Sequence, residues 1–207
     1  MKLIDGVKIK QGKFNIPDCT RNDLPEFFKE MGYKVGAEIG VWKGRFTEKF
    51  CRIGLKIYAI DKWEPYWIGA KKDGWLEDTQ KVQDGFYKIA QWRLEGRNLD
   101  CTIVKKFSME AIKDFKDNSL DFVYIDGNHA FKYIAQDVCE WSKKVRKGGV
   151  VSGHDYIITD DWNCHVKQVV DAYVNVFGIK NWYVLGSDHP QPGETRDRIR
   201  SWMWIKE

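Results

Sequence analysis

Val35 to Gly44 read VGAEIGVWKG. Val35–Ile39 is short and apolar around Glu38, as a buried strand is. Gly40 follows, then three residues, then Gly44, after which RFTEKFCRIG (45–54) has the composition of a helix. A strand, a tight glycine turn and a helix N-terminus in succession bring backbone N–H groups and the positive end of a helix dipole to one place, where a ligand can be held. Gly40 carries no Cβ to keep a ligand from the backbone. Glu38 offers a carboxylate to hydroxyls or an amine. A glycine turn after a strand is also ordinary punctuation, so its meaning depends on the rest of the chain.

Outward from this stretch, apolar periods of two and of 3.6 alternate. Residues 1–19 show no sustained period and read as an extended arm. Leu24, Phe27, Phe28 and Met31 predict a helix over 20–33, with Asn22 or Asp23 as its cap and Pro25 in its first turn. Strands are predicted over 35–39, 55–60, 101–104, 120–125 and 149–152, each followed by a helix, over 43–52, 79–97, 108–115, 130–145 and 164–177. Strands at 181–185 and 201–205 have no convincing helix between them. Five β–α alternations with short apolar strands predict a parallel sheet covered by helices, with right-handed crossovers. The last two strands predict an antiparallel hairpin at its C-terminal edge.

The 207 residues suffice for one sizeable domain. The organisation expected is an N-terminal arm and cap helix over 1–33 and a single globular unit over 34–207. A net charge of +4, with bases scattered among acids, argues against nucleic acid as a partner. The densest basic run, Lys143, Lys144, Arg146 and Lys147, closes a predicted helix, where cations are favoured by the dipole. Five cysteines, at 19, 51, 101, 139 and 164, show no C-x-x-C spacing, which fits a reducing, cytoplasmic compartment; Cys101 and Cys139 fall in segments read as buried. No stretch has the length of a signal peptide's apolar core or of a membrane span, so no membrane is expected. Oligomeric state, including a homo-oligomer, stays open.

In a parallel sheet, ligands bind beyond the carboxyl ends of the strands. There this chain places Glu38 and Gly40, then Asp61, then Ser108, then Asp126, Asn128 and His129, then His154 and Asp155. All five ends together favour one cleft. Asp61 follows Glu38 by 23 residues, a spacing suited to an acid that holds a ribose diol, although Asp61 would also serve simply to end its strand. Gly36, Gly40 and Gly44 stand four apart and make no G-x-G-x-x-G, which argues against nicotinamide.

EIGVWKG, YAID, DFVYIDGNHAFKYIAQDVCEW and KGGVVSGHDY together resemble the class I S-adenosylmethionine-dependent methyltransferases, and within them the small-molecule O-methyltransferase group with an EIG-x-x-x-G first motif and a DG-x-H fourth motif. The resemblance covers residues 34–156. It implies a Rossmann-like α/β three-layer sandwich, with a mostly parallel seven-stranded sheet and the antiparallel edge hairpin. It implies S-adenosylmethionine as cofactor. Glu38, Gly40 and Gly44 would form the cofactor turn, Asp61 would bind the ribose diol, Ser108 would lie near the adenine, and Asp126 would stand between cofactor and acceptor. Trp42 departs from the pattern, because a glycine is often found there, and the turn should differ in detail.

Methyl transfer from a sulfonium to a hydroxyl requires alignment and loss of a proton. His129 is the natural general base, with His154 a second candidate. Asp126, His154 and Asp155 also suit a divalent metal, although His154 is a poor ligand for Mg²⁺; this tilts the choice toward metal-free catalysis or toward Mn²⁺ or Zn²⁺. Asp137 also matches the group's pattern, but it stands eight residues beyond His129, about 12 Å along a helix, and reads as a carboxylate on the helix surface or behind the contact residues. The aromatic-rich 62–78, with Trp63, Tyr66, Trp67 and Trp75, reads as a lid or acceptor wall, or as a local apolar cluster that holds its loop down. The function expected is O-methylation of a small-molecule or sugar-like acceptor. The alternatives are a non-catalytic or regulatory S-adenosylmethionine binder, or a nucleic-acid or protein methyltransferase.

Overall fold

The structure, a computed structural model, describes residues 1–9, 12–65, 79–159, 163–189, 192 and 199–207. Its strands are β1 (Lys13–Ile16), β2 (Val35–Ile39), β3 (Lys56–Asp61), β4 (Cys101–Lys105), β5 (Leu120–Ile125), β6 (Val145–Gly153), β7 (Trp182–Leu185) and β8 (Ser201–Ile205). The helices are α1 (Leu3–Gly6), α2 (Leu24–Glu30), α3 (Arg45–Arg52), α4 (Gln80–Leu94), α5 (Ser108–Ala111), α6 (Phe131–Lys144) and α7 (Val166–Val176). The strands make one sheet in the order β1-β7-β8-β6-β5-β2-β3-β4. From β6 through β4 every pairing is parallel; β8 runs antiparallel to both β6 and β7.

The α/β architecture matches the expectation, with one strand more than seven. Residues 1–19 are no free arm: they supply α1 and β1, and β1 pairs in parallel with β7 at the edge. Four residues with a single buried side chain are too short to show a period. The final hairpin is also threaded differently, since β8 inserts between β6 and β7 and leaves β1 as the outer strand.

Strand alternation divides the core. On β5, Phe122 and Tyr124 face α2 and α3, while Val123 and Ile125 face α6 and α7; on β8, Met203 lies on the first side and Trp202 and Trp204 on the second. The first face is aromatic: the ring of Phe122 lies 4.2 Å from that of Phe28 and 5.4 Å from that of Phe50. The second is rich in valine, around Trp141. A third cluster joins α4 to β3 through Val41, Ala59, Trp63, Ala90 and Leu94.

Local chemistry sets the ends of the elements. The first helical stretch is capped by neither Asn22 nor Asp23. Thr20 caps it: its hydroxyl accepts from Asn22 N–H, and Asp23 reaches back to Thr20 N–H at 2.7 Å. Most of the basic run is consumed by local ion pairs, Lys143 with Glu140, Lys144 with Asp117 and Arg146 with Asp121. All five cysteines are free thiols. Cys139 is exposed on α6 and Cys101 half-buried, so the reading of both as buried fails, because each sits on a face that no other element covers fully. Among the described residues no helix is long and apolar enough to cross a membrane.

Candidate active site

The chain builds β2, β3 and β4 outward in one direction, then returns to lay β5 on the other side of β2. The crevice between the ends of β2 and β5 is therefore the switch point where such sheets bind ligands. Ile39 pairs with Ile125 there, and Asp126 N–H donates to the Ile39 carbonyl at 2.8 Å. Gly40 has φ +89°, and a Cβ on it would stand 2.1 Å from the Asp126 carbonyl oxygen. Its missing side chain thus lets the turn lie against the protein's own β5 end, a reason additional to ligand approach.

Asp61 pins the turn. Its Oδ2 accepts from Val41 N–H and Trp42 N–H, both at 2.9 Å, and its Oδ1 accepts from Trp63 N–H at 3.0 Å. Trp42 stands at φ +52°, the left-handed region that a glycine would take without strain. At this position tryptophan holds a glycine-like backbone. Its carbonyl accepts from the Trp63 indole N–H at 2.8 Å. Trp63 is fully buried and belongs to the core beside α4. Tyr66, Trp67 and Trp75 lie outside the described residues.

Glu38 is buried beneath the turn, 2% exposed, and Thr47 of α3 donates to its Oε2. Burial raises its carboxyl well above the ordinary range, against the hydrogen bond from Thr47. Glu38 therefore ties strand to helix from below. Beyond the turn opens a cleft lined by Gly40, Asp61, Phe107, Ser108, Tyr133 and Asp137 among others. Ser108 Oγ accepts from the Trp141 indole N–H at 2.8 Å and donates to Asp137 Oδ1. Asp137 is 4% exposed, so the helix-surface reading is wrong. The turn after β5 folds α6 back along the sheet, which carries position 137 under the cleft.

Beyond the ends of β5 and β6 the predicted acids and histidines converge. His129 Nε2 lies 2.8 Å from Asp155 Oδ2, and His154 Nδ1 lies 3.3 Å from Asp155 Oδ1. Donor atoms of Asp126, His154 and Asp155 all fall within 4.8 Å of one another. Asp155 adopts φ +56°, a strained conformation for a residue with a side chain, which turns its carboxylate toward both imidazoles. Burial opposes ionisation of Asp155, but hydrogen bonds from His129 and His154 prevail and hold it well below the usual carboxylate range. Burial works to lower His129; the hydrogen bond and charge of Asp155 prevail and raise it. Burial and the charge of Asp155 push Asp126 up to about 6, against the neighbouring cations.

Two site residues escape sequence reasoning. Arg21, in the turn before α2, reaches over the sheet, and its Nη1 lies 3.4 Å from Asp126 Oδ2. Thr47 holds Glu38. Arg21 had no pattern to betray it. Thr47 stands on the face of α3 that turns toward β2, the one available signal. Gly44 falls where expected, at φ +70° immediately before α3.

Residues 37–156 match the model of a family described as methyltransferase domain. No curated protein matches the chain. Among solved structures, it is similar to an O-methyltransferase from Bacillus cereus in complex with SAH, at 16% identity and TM-score 0.60, over 90% of this chain and 80% of that one. It is similar to the O-methyltransferase TomG from Streptomyces achromogenes, in complex with SAM, at 13% identity and TM-score 0.60, over 90% and 79%. It is also similar to the tRNA (m1A58) methyltransferase TrmI from Aquifex aeolicus, at 12% identity and TM-score 0.58, over 90% and 68%. At these identities the likeness is one of fold.

Proposed function

The chain belongs to the methyltransferase-domain family, and from that premise we propose that it transfers a methyl group from S-adenosylmethionine to an oxygen of a small-molecule or sugar-like acceptor. One observation carries the reading: a paired imidazole and carboxylate, His129 and Asp155, stands beside a glycine-turn cleft at the switch point of the sheet. The binding of SAM or SAH by two proteins of the same fold supports the choice of donor.

When bound, S-adenosylmethionine supplies an electrophilic methyl on a sulfonium, which leaves as neutral thioether. The turn at Gly40 and the Asp61 carboxylate receive the nucleoside, and Asp61 keeps one lone pair, on Oδ1, for a ribose hydroxyl beside the three N–H groups it already holds. His129 takes the proton from the acceptor hydroxyl. With Nε2–H given to Asp155, the basic lone pair of His129 is on Nδ1, and Asp155 stabilises the imidazolium that forms. Asp126 lies between the two substrates, and Arg21 balances its charge.

A divalent ion is a second reading, favoured by the convergence of Asp126, His154 and Asp155. Two carboxylates and an imidazole fit Mn²⁺ or Zn²⁺ better than Mg²⁺. These three residues would hold it, and it would lower the pKa of an acceptor hydroxyl.

The test is transfer of labelled methyl from S-adenosylmethionine to a panel of hydroxyl acceptors. His129→Ala should cut transfer about 100-fold or more, the range of a lost general base, while S-adenosylhomocysteine affinity stays within about threefold. Undiminished transfer by His129→Ala would remove it as the base; methylation of nitrogen acceptors alone would overturn the oxygen assignment.

A further inference from the structure

Among the described residues, Asp137 is the one buried acid lining the cleft that the proposed chemistry leaves unused. It is 4% exposed, lines the cleft, and spends Oδ1 on the Ser108 hydroxyl. Ser108 is thereby committed: its only hydrogen goes to Asp137, and its oxygen accepts from Trp141. It has no hydrogen left for a ligand. Asp137 Oδ2 takes no hydrogen bond among the described residues. It lies 3.6 Å from where a Cβ on Gly127 would stand, next to the Gly40 turn. This oxygen has no protein partner among the described residues and belongs to a residue that lines the cleft, so a ligand group bound there can meet it.

The charge around Asp137 says which form meets the ligand. Asp61 and Lys62 from the end of β3, Lys106 beyond β4 and Tyr133 of α6 share the cleft. None of them forms an ion pair with Asp137, and burial pushes its carboxyl up to about 7, against the Ser108 hydrogen bond alone. An un-ionised carboxyl presents one donor, and the purine of the donor substrate presents ring nitrogens that accept.

We propose that Asp137 reads the adenine of the methyl donor, with the carboxyl proton on Oδ2 donated to a ring nitrogen while Oδ1 stays with Ser108. This rests on the reading of the cleft as the S-adenosylmethionine site. Asp137 is a binding and specificity residue, remote from the methyl group.

The substitution Asp137→Asn keeps the same pattern, with a carbonyl for Ser108 and an N–H for the purine, but it does not ionise. Calorimetric titration with S-adenosylhomocysteine from pH 6 to 8.5 separates the possibilities. The parent protein should weaken by about tenfold across that range as Asp137 loses its proton. Asp137→Asn should bind within about threefold of the parent at pH 6 and stay flat up to pH 8.5, so that titration of other groups in the site is subtracted by the comparison. Asp137→Leu should bind about tenfold more weakly at pH 6, as expected for one lost hydrogen bond to a buried partner. Equal pH slopes in parent and Asp137→Asn would overturn the proposal, and so would parent-like binding by a folded Asp137→Leu. If Asp137→Leu does not fold, the first comparison decides. Failure of the parent to bind at any pH removes the donor reading and this inference with it; binding without the expected differences removes only the inference.

Discussion

Gly40 and Glu38 carry opposite kinds of constraint within three residues. At Gly40 the constraint is space: a methyl group would stand 2.1 Å from the Asp126 carbonyl oxygen, at a φ of +89° that side chains avoid. Gly40→Ala is therefore expected to lose about 3 kcal/mol of stability, or to keep its fold only by moving the turn off the β5 end. Urea denaturation and S-adenosylhomocysteine titration on the same sample distinguish these outcomes; a variant parent-like in both would refute the close approach. At Glu38 the constraint is charge. Its carboxyl is raised by burial, so its contribution to stability is complete below the unfolded value of about 4.3 and is lost as pH rises toward the folded one. Glu38→Gln keeps a carbonyl to accept from Thr47 and cannot ionise. The variant should lose less stability than the parent between pH 5 and 9, measured by denaturant midpoints; parallel curves would show that Glu38 is not held neutral.

At the scale of elements, the central strands were legible because each is an apolar run bounded by turn residues. The boundaries of β5 and β8 agree with the sequence reading to the residue. β1 was hidden for the opposite reason: KFNI buries one side chain, and its partner β7 lies about 170 positions away. The site divides in the same way. Residues at strand ends declared themselves by position. Arg21 and Thr47 act through side chains that cross from other elements, and no one-dimensional spacing records a crossing. Asp137 was visible as a pattern, and of its two readings the surface one fails, because α6 doubles back under the cleft. The contact between β5 and α2 supplies the clearest energetic test. Gly36 leaves room for Phe122, whose ring would otherwise lie 2.3 Å from a Cβ, and Phe122 then stacks on Phe28 and meets Phe50 at a tilt. Phe122→Ala should cost about 3–5 kcal/mol by urea denaturation. A loss below about 1 kcal/mol would mean that the aromatic face repacks around the space.

For the whole molecule, the buried acids set opposing slopes of stability with pH. Glu48 ties α3 to α4: burial works to raise it, but hydrogen bonds from Arg93 and Arg52 and the charge of Arg97 prevail and hold it at about 2. Its contribution is complete above the unfolded value of about 4.3 and is lost as pH falls toward 2. Glu38 and Asp137, both raised, lose theirs as pH climbs, Asp137 through about 7. Stability should therefore peak in mildly acid solution, near about pH 5. A peak above pH 8 in a series of urea midpoints would contradict these assignments. The same sheet gathers Gly40, Asp61, Asp126, His129, His154 and Asp155 at the carboxyl ends of its inner strands, and this end is the proposed methyl-donor site. Calorimetric titration of the parent protein and of Asp61→Ala with S-adenosylhomocysteine tests it most directly. The expected result is saturable binding at one site per chain by the parent, weakened about tenfold or more in Asp61→Ala by loss of the acceptor for ribose hydroxyls and for the turn's own N–H groups. No binding by the parent, or undiminished binding by Asp61→Ala, would contradict it.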